Sequence, residues 1–174
     1  MNMRSKLPVL VVLVVLVALF FYPTGNNLSV PVTFVTNRTV LTYSDTLYNY
    51  EVIEYPTAGG VSSVPVNQEK MTIGMVVDPW NLNFGIVPSG NNYGTRFIDL
   101  QNVKAEDAKV GFRVYGNIAP YVNFTMNDFI LHGNENVTVQ AHFYAASASV
   151  GNYTGQIDVI VQRPKYPFPG FGLK

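Results

Sequence analysis

Apolar and polar residues alternate with a period of two along much of the second half of this 174-residue chain. Successive side chains of a β-strand point to opposite faces, so this alternation predicts strands with one buried face. The outward positions of the last such segment are predicted to be Thr154, Gln156, Asp158 and Gln162. The apolar, inward positions of the four segments are Met71, Ile73, Met75 and Val77; Val110, Phe112 and Val114; Val137, Val139, Ala141 and Phe143; and Tyr153, Ile157, Val159 and Val161.

Short clusters of Gly, Pro, Asn and Asp separate these segments, as is typical of turns. They read PSGNNYG, KAED, GNIAP, HGNEN and SVGNYTG. About seven short strands in roughly 95 residues predict an all-β fold, an antiparallel β-sandwich of two sheets. We place this domain at residues 69–163, after a membrane segment at 1–22 and a β-rich spacer and linker at 23–68, and before a Pro- and aromatic-rich tail at 164–174.

The amino-terminal segment contains an uncharged apolar run from Leu7 to Tyr22, preceded by Arg4 and Lys6. The run shows no polar face, which excludes an amphipathic core helix. A cleaved signal peptide fits its length, but the usual small residues of a cleavage site are missing and aromatic residues end the run. An uncleaved, single-pass helix in membrane lipid is therefore favoured. With the cations inside, the amino terminus is cytoplasmic and the bulk of the chain extracytoplasmic.

The spacer contains VPVTFVTNRTVLTY and LYNYEVIEY, whose β-branched and aromatic residues favour strands. The following PTAGGVSSVPVNQ has the composition of a linker. Four tyrosines, at 43, 48, 50 and 55, either form a binding surface or pack within a hairpin, and the hairpin is favoured.

The glycines of LNFGIVPSG, residues 82–90, have two interpretations. A phosphate-binding loop opens a helix and usually continues with Gly-Lys-Ser/Thr. Here the stretch runs into NNYGTRFIDL, a strand pattern, so the glycines are predicted to serve turns.

The same stretch resembles the opening of immunoglobulin-like domains of the abnormal-spindle and major-sperm-protein type. The matching positions are Leu82, Phe84, Gly85, Val87, Pro88, Gly90, Leu100 and Asn102. The late GNYTGQIDVIV is similar to the last hairpin of such domains. The resemblance covers roughly residues 70–162 and implies an immunoglobulin-like fold. It implies no catalytic or ligand-binding residue, because this fold carries many functions. Phe143 is followed by YAASAS, where the family often has a Pro.

Composition excludes several functional classes. The chain has no cysteine, so it has neither disulfides nor thiolate zinc sites. Eleven basic and eleven acidic residues are scattered without a basic stripe, which argues against nucleic acid. The two histidines, His132 and His142, have no short-spaced ligand partners, and no pair of acids is singled out; Glu106 and Asp107 are predicted in a turn, Asp99 and Asp158 on outward strand positions. We expect no catalytic residue, no metal and no cofactor.

Asn-x-Ser/Thr sequons are more frequent than chance predicts and fit an exported domain. The candidate glycosylation sites are Asn27, Asn37, Asn123, Asn136 and Asn152.

These patterns favour a non-enzymatic, membrane-anchored surface protein that binds a protein partner. The tail provides possible contacts for protein or lipid headgroups, Tyr166, Phe168 and Phe171 among the cations Arg163, Lys165 and Lys174, although a frayed terminus fits equally well. One alternative is a filament or envelope subunit in which residues 28–43 add a strand to a neighbour's sheet. Another is an exported carbohydrate-binding module that uses Trp80 and Tyr93.

Overall fold

The computed structural model describes residues 30–31, 33–63 and 80–166. The apolar run of 1–22, the alternation at Met71–Val77 and the tail beyond Tyr166 lie outside these residues. Nine strands and a short 3₁₀ helix, Ala119–Tyr121, make up the regular structure of the described part, which is all-β as predicted. The strands are β1 (Thr39–Ser44), β2 (Tyr48–Ser62), β3 (Gly85–Pro88), β4 (Tyr93–Gln101), β5 (Ala108–Gly116), β6 (Val122–Phe124), β7 (Phe129–Leu131), β8 (Asn136–Tyr144) and β9 (Gly151–Pro164).

The strands form a large sheet and a small sheet. The large sheet has the order β1-β2-β9-β5-β7, and β3 also joins it as a third neighbour of β2, along the part of β2 that lies beyond β1. The small sheet has the order β4-β8-β6. Every pairing is antiparallel except that of β2 with β3, which is parallel.

Both sheets contribute to one core. Phe112 of the large sheet stacks on Phe124 of the small sheet, with ring centroids 4.5 Å apart. Phe143 is completely buried, and its ring contacts those of Phe84, Tyr121 and Tyr153. The inward positions predicted for β5, β8 and β9 are confirmed where the core is densest: Val110, Phe112, Val139, Ala141, Phe143, Ile157, Val159 and Val161.

The glycines of residues 82–90 serve turns, as the sequence predicts. Gly85 and Gly90 have φ of 74° and 97°, a region that side chains other than glycine rarely adopt. The chain passes from β3 through a bend at 89–91 into β4 and opens no helix. Asn102, at the end of the matched stretch, is buried, and its Nδ2 lies 2.8–3.2 Å from the carbonyl oxygens of Glu106, Leu131 and His132. It therefore ties the β4–β5 loop to β7.

The segment between residues 39 and 62 is strand, including residues 56–62, for which a linker was predicted. That prediction is wrong because the small residues there have a packing role. A Cβ on Gly59 would lie 3.0 Å from the Phe143 ring, tighter than most Cβ contacts, so glycine lets β2 pack closely against this ring. Pro56 lies beyond the end of β1, and its carbonyl oxygen accepts a hydrogen bond from Leu82 N on that edge of β2. The N–H that proline lacks would face the same edge, so the pairing of β2 with β9 is intact.

The prediction that Gln156 and Asp158 face solvent is also wrong. Their exposed fractions are 1% and 5%. Both side chains do point away from the core, but other parts of the chain cover that face of the large sheet. Val35 N donates to Gln156 Oε1 at 3.0 Å, which places the segment before β1 across the sheet. A Cβ on the neighbouring Gly111 would lie 2.9 Å from the Asp128 carboxylate, which shows a second loop on the same face.

Candidate functional site

The tip of the β1–β2 hairpin is fixed by Asp45. Its Oδ1 accepts hydrogen bonds from the backbone N–H groups of Leu47 and Tyr48 at 2.8 and 2.7 Å, and its Oδ2 accepts one from the Tyr50 hydroxyl at 3.0 Å. Burial opposes ionisation here, but these hydrogen bonds outweigh it and hold the pKa of Asp45 below its ordinary value. A carboxylate that stays charged over the physiological range therefore shapes the tip.

The end of β9 joins this tip. Lys165 N donates to the carbonyl of Leu47 at 2.8 Å, and Lys165 Nζ donates to the carbonyl of Asp45. The tail predicted to bind a partner therefore leaves the domain beside the hairpin. Tyr166, the only one of the three predicted tail contacts within the described residues, is 56% exposed. Phe168 and Phe171 lie outside them.

An open groove of about 430 Å³ lies beside the tip end of the hairpin. One wall is formed by Tyr43 and Tyr50, whose rings are stacked at 4.9 Å and 12°. Charged residues complete the lining: Glu51, Lys104, Glu106 and Arg163. Arg163 Nη1 lies 3.6 Å from Glu51 Oε2, and the arginine side chain is largely buried whereas the glutamate is exposed. Of the four tyrosines, Tyr43 and Tyr50 thus pack together across the hairpin, as favoured, and at the same time line a groove.

Apolar side chains are exposed along the edge of the large sheet. Val40 and Leu41 of β1 are 43% and 47% exposed, and Leu47 at the tip is 41% exposed. Among the described strands β1 is the last of the sheet, so one side of its backbone has no neighbouring strand. We call β1, the hairpin tip, the groove and Tyr166 the hairpin edge.

A second apolar surface lies on the outer face of the small sheet. The rings of His142, Tyr93 and Tyr144 form a triangle: the His142 centroid lies 5.3 Å from that of Tyr93 and 5.9 Å from that of Tyr144, and the two tyrosine centroids are 5.6 Å apart. Tyr93 and Tyr144 are 57% and 37% exposed. Thr95 Oγ1 lies 2.9 Å from His142 Nδ1, which fixes the ring on the strand. We call these three rings the ring cluster.

A polar cluster surrounds Asp158 on the covered face of the large sheet. Strand register places Glu54 and Arg113 on either side of Asp158, and Gln156 Nε2 donates to Asp158 Oδ1 at 2.7 Å. Burial raises the pKa of Asp158 to about 6 despite the bond from Gln156, and the Glu54 carboxylate adds to the rise. This carboxyl group therefore takes up a proton near neutral pH. The sequence contained no signal for this pair, because only strand register brings it together.

The remaining predicted residues are dispersed. His132 Nδ1 lies 3.1 Å from Asp107 Oδ2 on an exposed loop, whereas His142 belongs to the ring cluster. Glu106 and Asp107 lie in a loop and Asp99 is outward and exposed, as predicted. Across the described residues, no three His, Asp or Glu side chains converge on a point where a metal ion could bind. Trp80 is 59% exposed.

Four of the five sequon asparagines fall within the described residues, and all four are exposed: Asn37, Asn123, Asn136 and Asn152. Asn27 lies outside.

Residues 39–43, part of the segment proposed to insert into a neighbouring subunit, pair here with β2 of the same chain.

Comparison with known proteins adds no relative: no protein-family model matches the chain, and no curated protein matches it. In the part of the chain that the structure describes, there is no helix of the length and hydropathy needed to cross a membrane.

Proposed function

We propose that this chain is a non-enzymatic, single-pass cell-surface protein whose immunoglobulin-like domain lies outside the cytoplasm and binds a protein partner. Two sheets that share one core support the immunoglobulin-like assignment. The apolar run from Leu7 to Tyr22, with Arg4 and Lys6 before it, supports a membrane anchor with a cytoplasmic amino terminus.

The observation that carries the proposal is the convergence at the hairpin edge. An edge strand, an apolar tip, a groove with stacked tyrosines and the start of the tail meet at one end of the large sheet. Free backbone groups of an edge strand pair with an incoming strand, and exposed apolar side chains on both faces of that strand add contact area. Aromatic residues such as Tyr43 and Tyr50 are common where partners bind, because they provide large contact areas with few rotatable bonds.

The charges of the groove indicate the partner's chemistry. Glu51 and Glu106 stand among Lys104, Arg163 and the nearby Lys165, so the surface carries both signs within a small area. A partner segment that is extended, apolar at alternate positions and mixed in charge fits this surface better than nucleic acid or a single-sign ligand does.

Crosslinking in native membranes tests the proposal. We expect that Leu41→Lys combined with Leu47→Lys reduces crosslinking to the partner by about tenfold or more, the effect of losing central apolar contacts. Val150→Lys is the matched control, because Val150 is 61% exposed but lies before the start of β9, at the opposite end of that strand. Removing residues 167–174 is expected to have a smaller effect in the same direction.

Equal losses in the hairpin and control variants would show that charge, and not the hairpin edge, disturbs the complex. Unchanged crosslinking in the hairpin variant, with the far-ultraviolet spectrum of the intact fold, would refute the proposed surface.

A further inference from the structure

The ring cluster has an asparagine of a sequon at its margin. Asn123 of β6 stands directly opposite His142 of β8 in the antiparallel register. Directly opposed residues have their Cβ atoms about 4.5–5.5 Å apart and on the same face of the sheet. The exposed Asn123 amide therefore emerges next to the His142 ring, which in turn contacts Tyr93 and Tyr144.

The other described sequons lack this neighbourhood. Asn136 is on the same face of the same sheet, but it opens β8 opposite Gln101, six residues before His142. At roughly 3.3 Å per residue, it lies about 20 Å from the rings. Asn37 precedes β1, and Asn152 stands at the start of β9 in the large sheet. Of the four, Asn123 is the one that strand register places directly opposite a member of the ring cluster.

We propose that Asn123 is an N-glycosylation site whose first sugar residues pack on the ring cluster. In the modification, Asn123 Nδ2 attacks the anomeric carbon of a lipid-pyrophosphate-linked oligosaccharide. The new C–N bond forms, the C–O bond to the pyrophosphate breaks, and Nδ2 loses a proton to a base of the transferase. The inference rests on the proposed function in one respect, because glycosylation requires that the domain lies outside the cytoplasm.

Sugar and rings are complementary. One face of a pyranose carries several C–H groups with slight positive charge, whereas the face of an aromatic ring is negative. Tyr93 is 57% exposed without the sugar, so a sugar ring laid over it removes apolar surface from water. Thr95 Oγ1, beside His142, and the Tyr hydroxyls supply hydrogen-bonding groups at the rim for the sugar's own hydroxyls.

The test uses the full chain expressed in a secretory host whose N-glycans begin with N-acetylglucosamine. Mass spectrometry of glycopeptides gives the occupancy of each sequon. Denaturant unfolding then gives the effect of Asn123→Gln in two backgrounds, with Tyr144 intact and with Tyr144→Ala. Asn136→Gln is the matched control, and the same five proteins made in a host without the transferase reveal any effect of the substitutions themselves.

We expect Asn123 to be occupied and Asn123→Gln to lower the folding equilibrium constant about threefold to tenfold, the range for one aromatic contact. In the Tyr144→Ala background, in the chains made without glycans and for Asn136→Gln, we expect less than a twofold change. An unoccupied Asn123 in a chain that carries glycans elsewhere overturns the inference but not the proposed function. An occupied Asn123 whose loss has the same effect in both backgrounds also overturns it. If none of the five sequons is occupied, the extracytoplasmic location itself is wrong, and the inference falls with it.

Discussion

β8 and β9 look alike in sequence but differ in the structure. Each alternates apolar and polar residues, and each turns its apolar positions into the shared core. On β8, the outer residues Thr138 and Tyr144 are exposed. On β9, the residues from Gly155 to Asp158 are all buried, whichever face they are on. Alternation therefore identified the inward face of both strands but said nothing about what lies over the other face.

The difference follows from position. β9 is paired on both sides, by β2 and β5, and its outer face is crossed by the segment before β1. β8 is also central, in the small sheet, but its outer residues Asn136, Thr138 and Tyr144 are exposed and none of its outer residues is buried. A polar side chain under a covering segment must find hydrogen-bond partners, which Gln156 does with Val35 and Asp158.

The core side of β8 gives the largest expected effect. Phe143→Ala removes a ring that contacts three other aromatic rings in the core. We expect the free energy of unfolding to fall by about 3–5 kcal/mol, measured by denaturant titration. Tyr144→Ala, one residue further and outward, is expected to cost less than about 1 kcal/mol. Similar losses for both would show that β8 has no distinct outer face.

The second largest expected effect concerns the outer positions of β8 and β9. Gln156→Ala on β9 leaves the part-buried Val35 N–H without its acceptor and removes the donor to the buried Asp158. We expect a loss of about 2–3 kcal/mol, because each orphaned buried polar group costs about 1–3 kcal/mol. Gln140→Ala at an outer position of β8 is expected to cost less than about 0.5 kcal/mol. If the β9 variant is as mild as the β8 variant, the covering segment does not protect this face in solution.

The smallest of the three effects depends on pH. The pKa of Asp158 is about 6 in the folded chain against an ordinary value of 3.8, so folding favours the protonated form. Stability contributed by this proton is present below about pH 4 and is lost as the pH rises through 6. We expect Asp158→Asn to stabilise the domain by about 1–2 kcal/mol at pH 8 and to give no gain at pH 3.5.

Unfolding titrations across this pH range measure the effect of Asp158. Glu54, Arg113, Tyr43 and Tyr115 are the other titratable groups around it, and they remain in the variant. Asp99→Asn is the control, since Asp99 is an exposed carboxylate on β4 that accepts a bond from Thr138. A gain in Asp158→Asn that is independent of pH would show that ionisation is not its cause.

Much of the fold could be predicted from local pattern. The all-β class, the inward residues of β5, β8 and β9, and the turn role of Gly85 and Gly90 all follow from periodicity and from glycine's freedom at positive φ. The linker prediction failed because a Gly-Gly pair in a strand has the same composition as a Gly-Gly pair in a linker. Only the ring of Phe143, far away in sequence, explains why Gly59 is there.

The surfaces were less predictable than the fold. The tail was predicted to contact a partner. In the structure it leaves the domain beside Leu47 of the β1–β2 hairpin, a neighbour that the tail's own sequence does not indicate. The ring cluster and the Glu54–Asp158 pair arise from register between strands, which a single sequence does not specify. The sequence of each strand therefore indicates which side chains it presents, and the pairing of the strands decides which of these side chains are in contact.

The pairing of β2 with β9 has a consequence for how this chain is made. β2 begins at Tyr48, and its partner ends at Pro164, so nearly the whole domain is synthesised before the two strands can meet. Contacts between such distant segments form slowly, because a long loop must close first. A nascent chain that emerges amino terminus first can pair β2 with β1 early, but the other edge of β2 stays unpaired until β9 has been released. For the extracytoplasmic location proposed above, the large sheet is completed only after β9 has crossed the membrane.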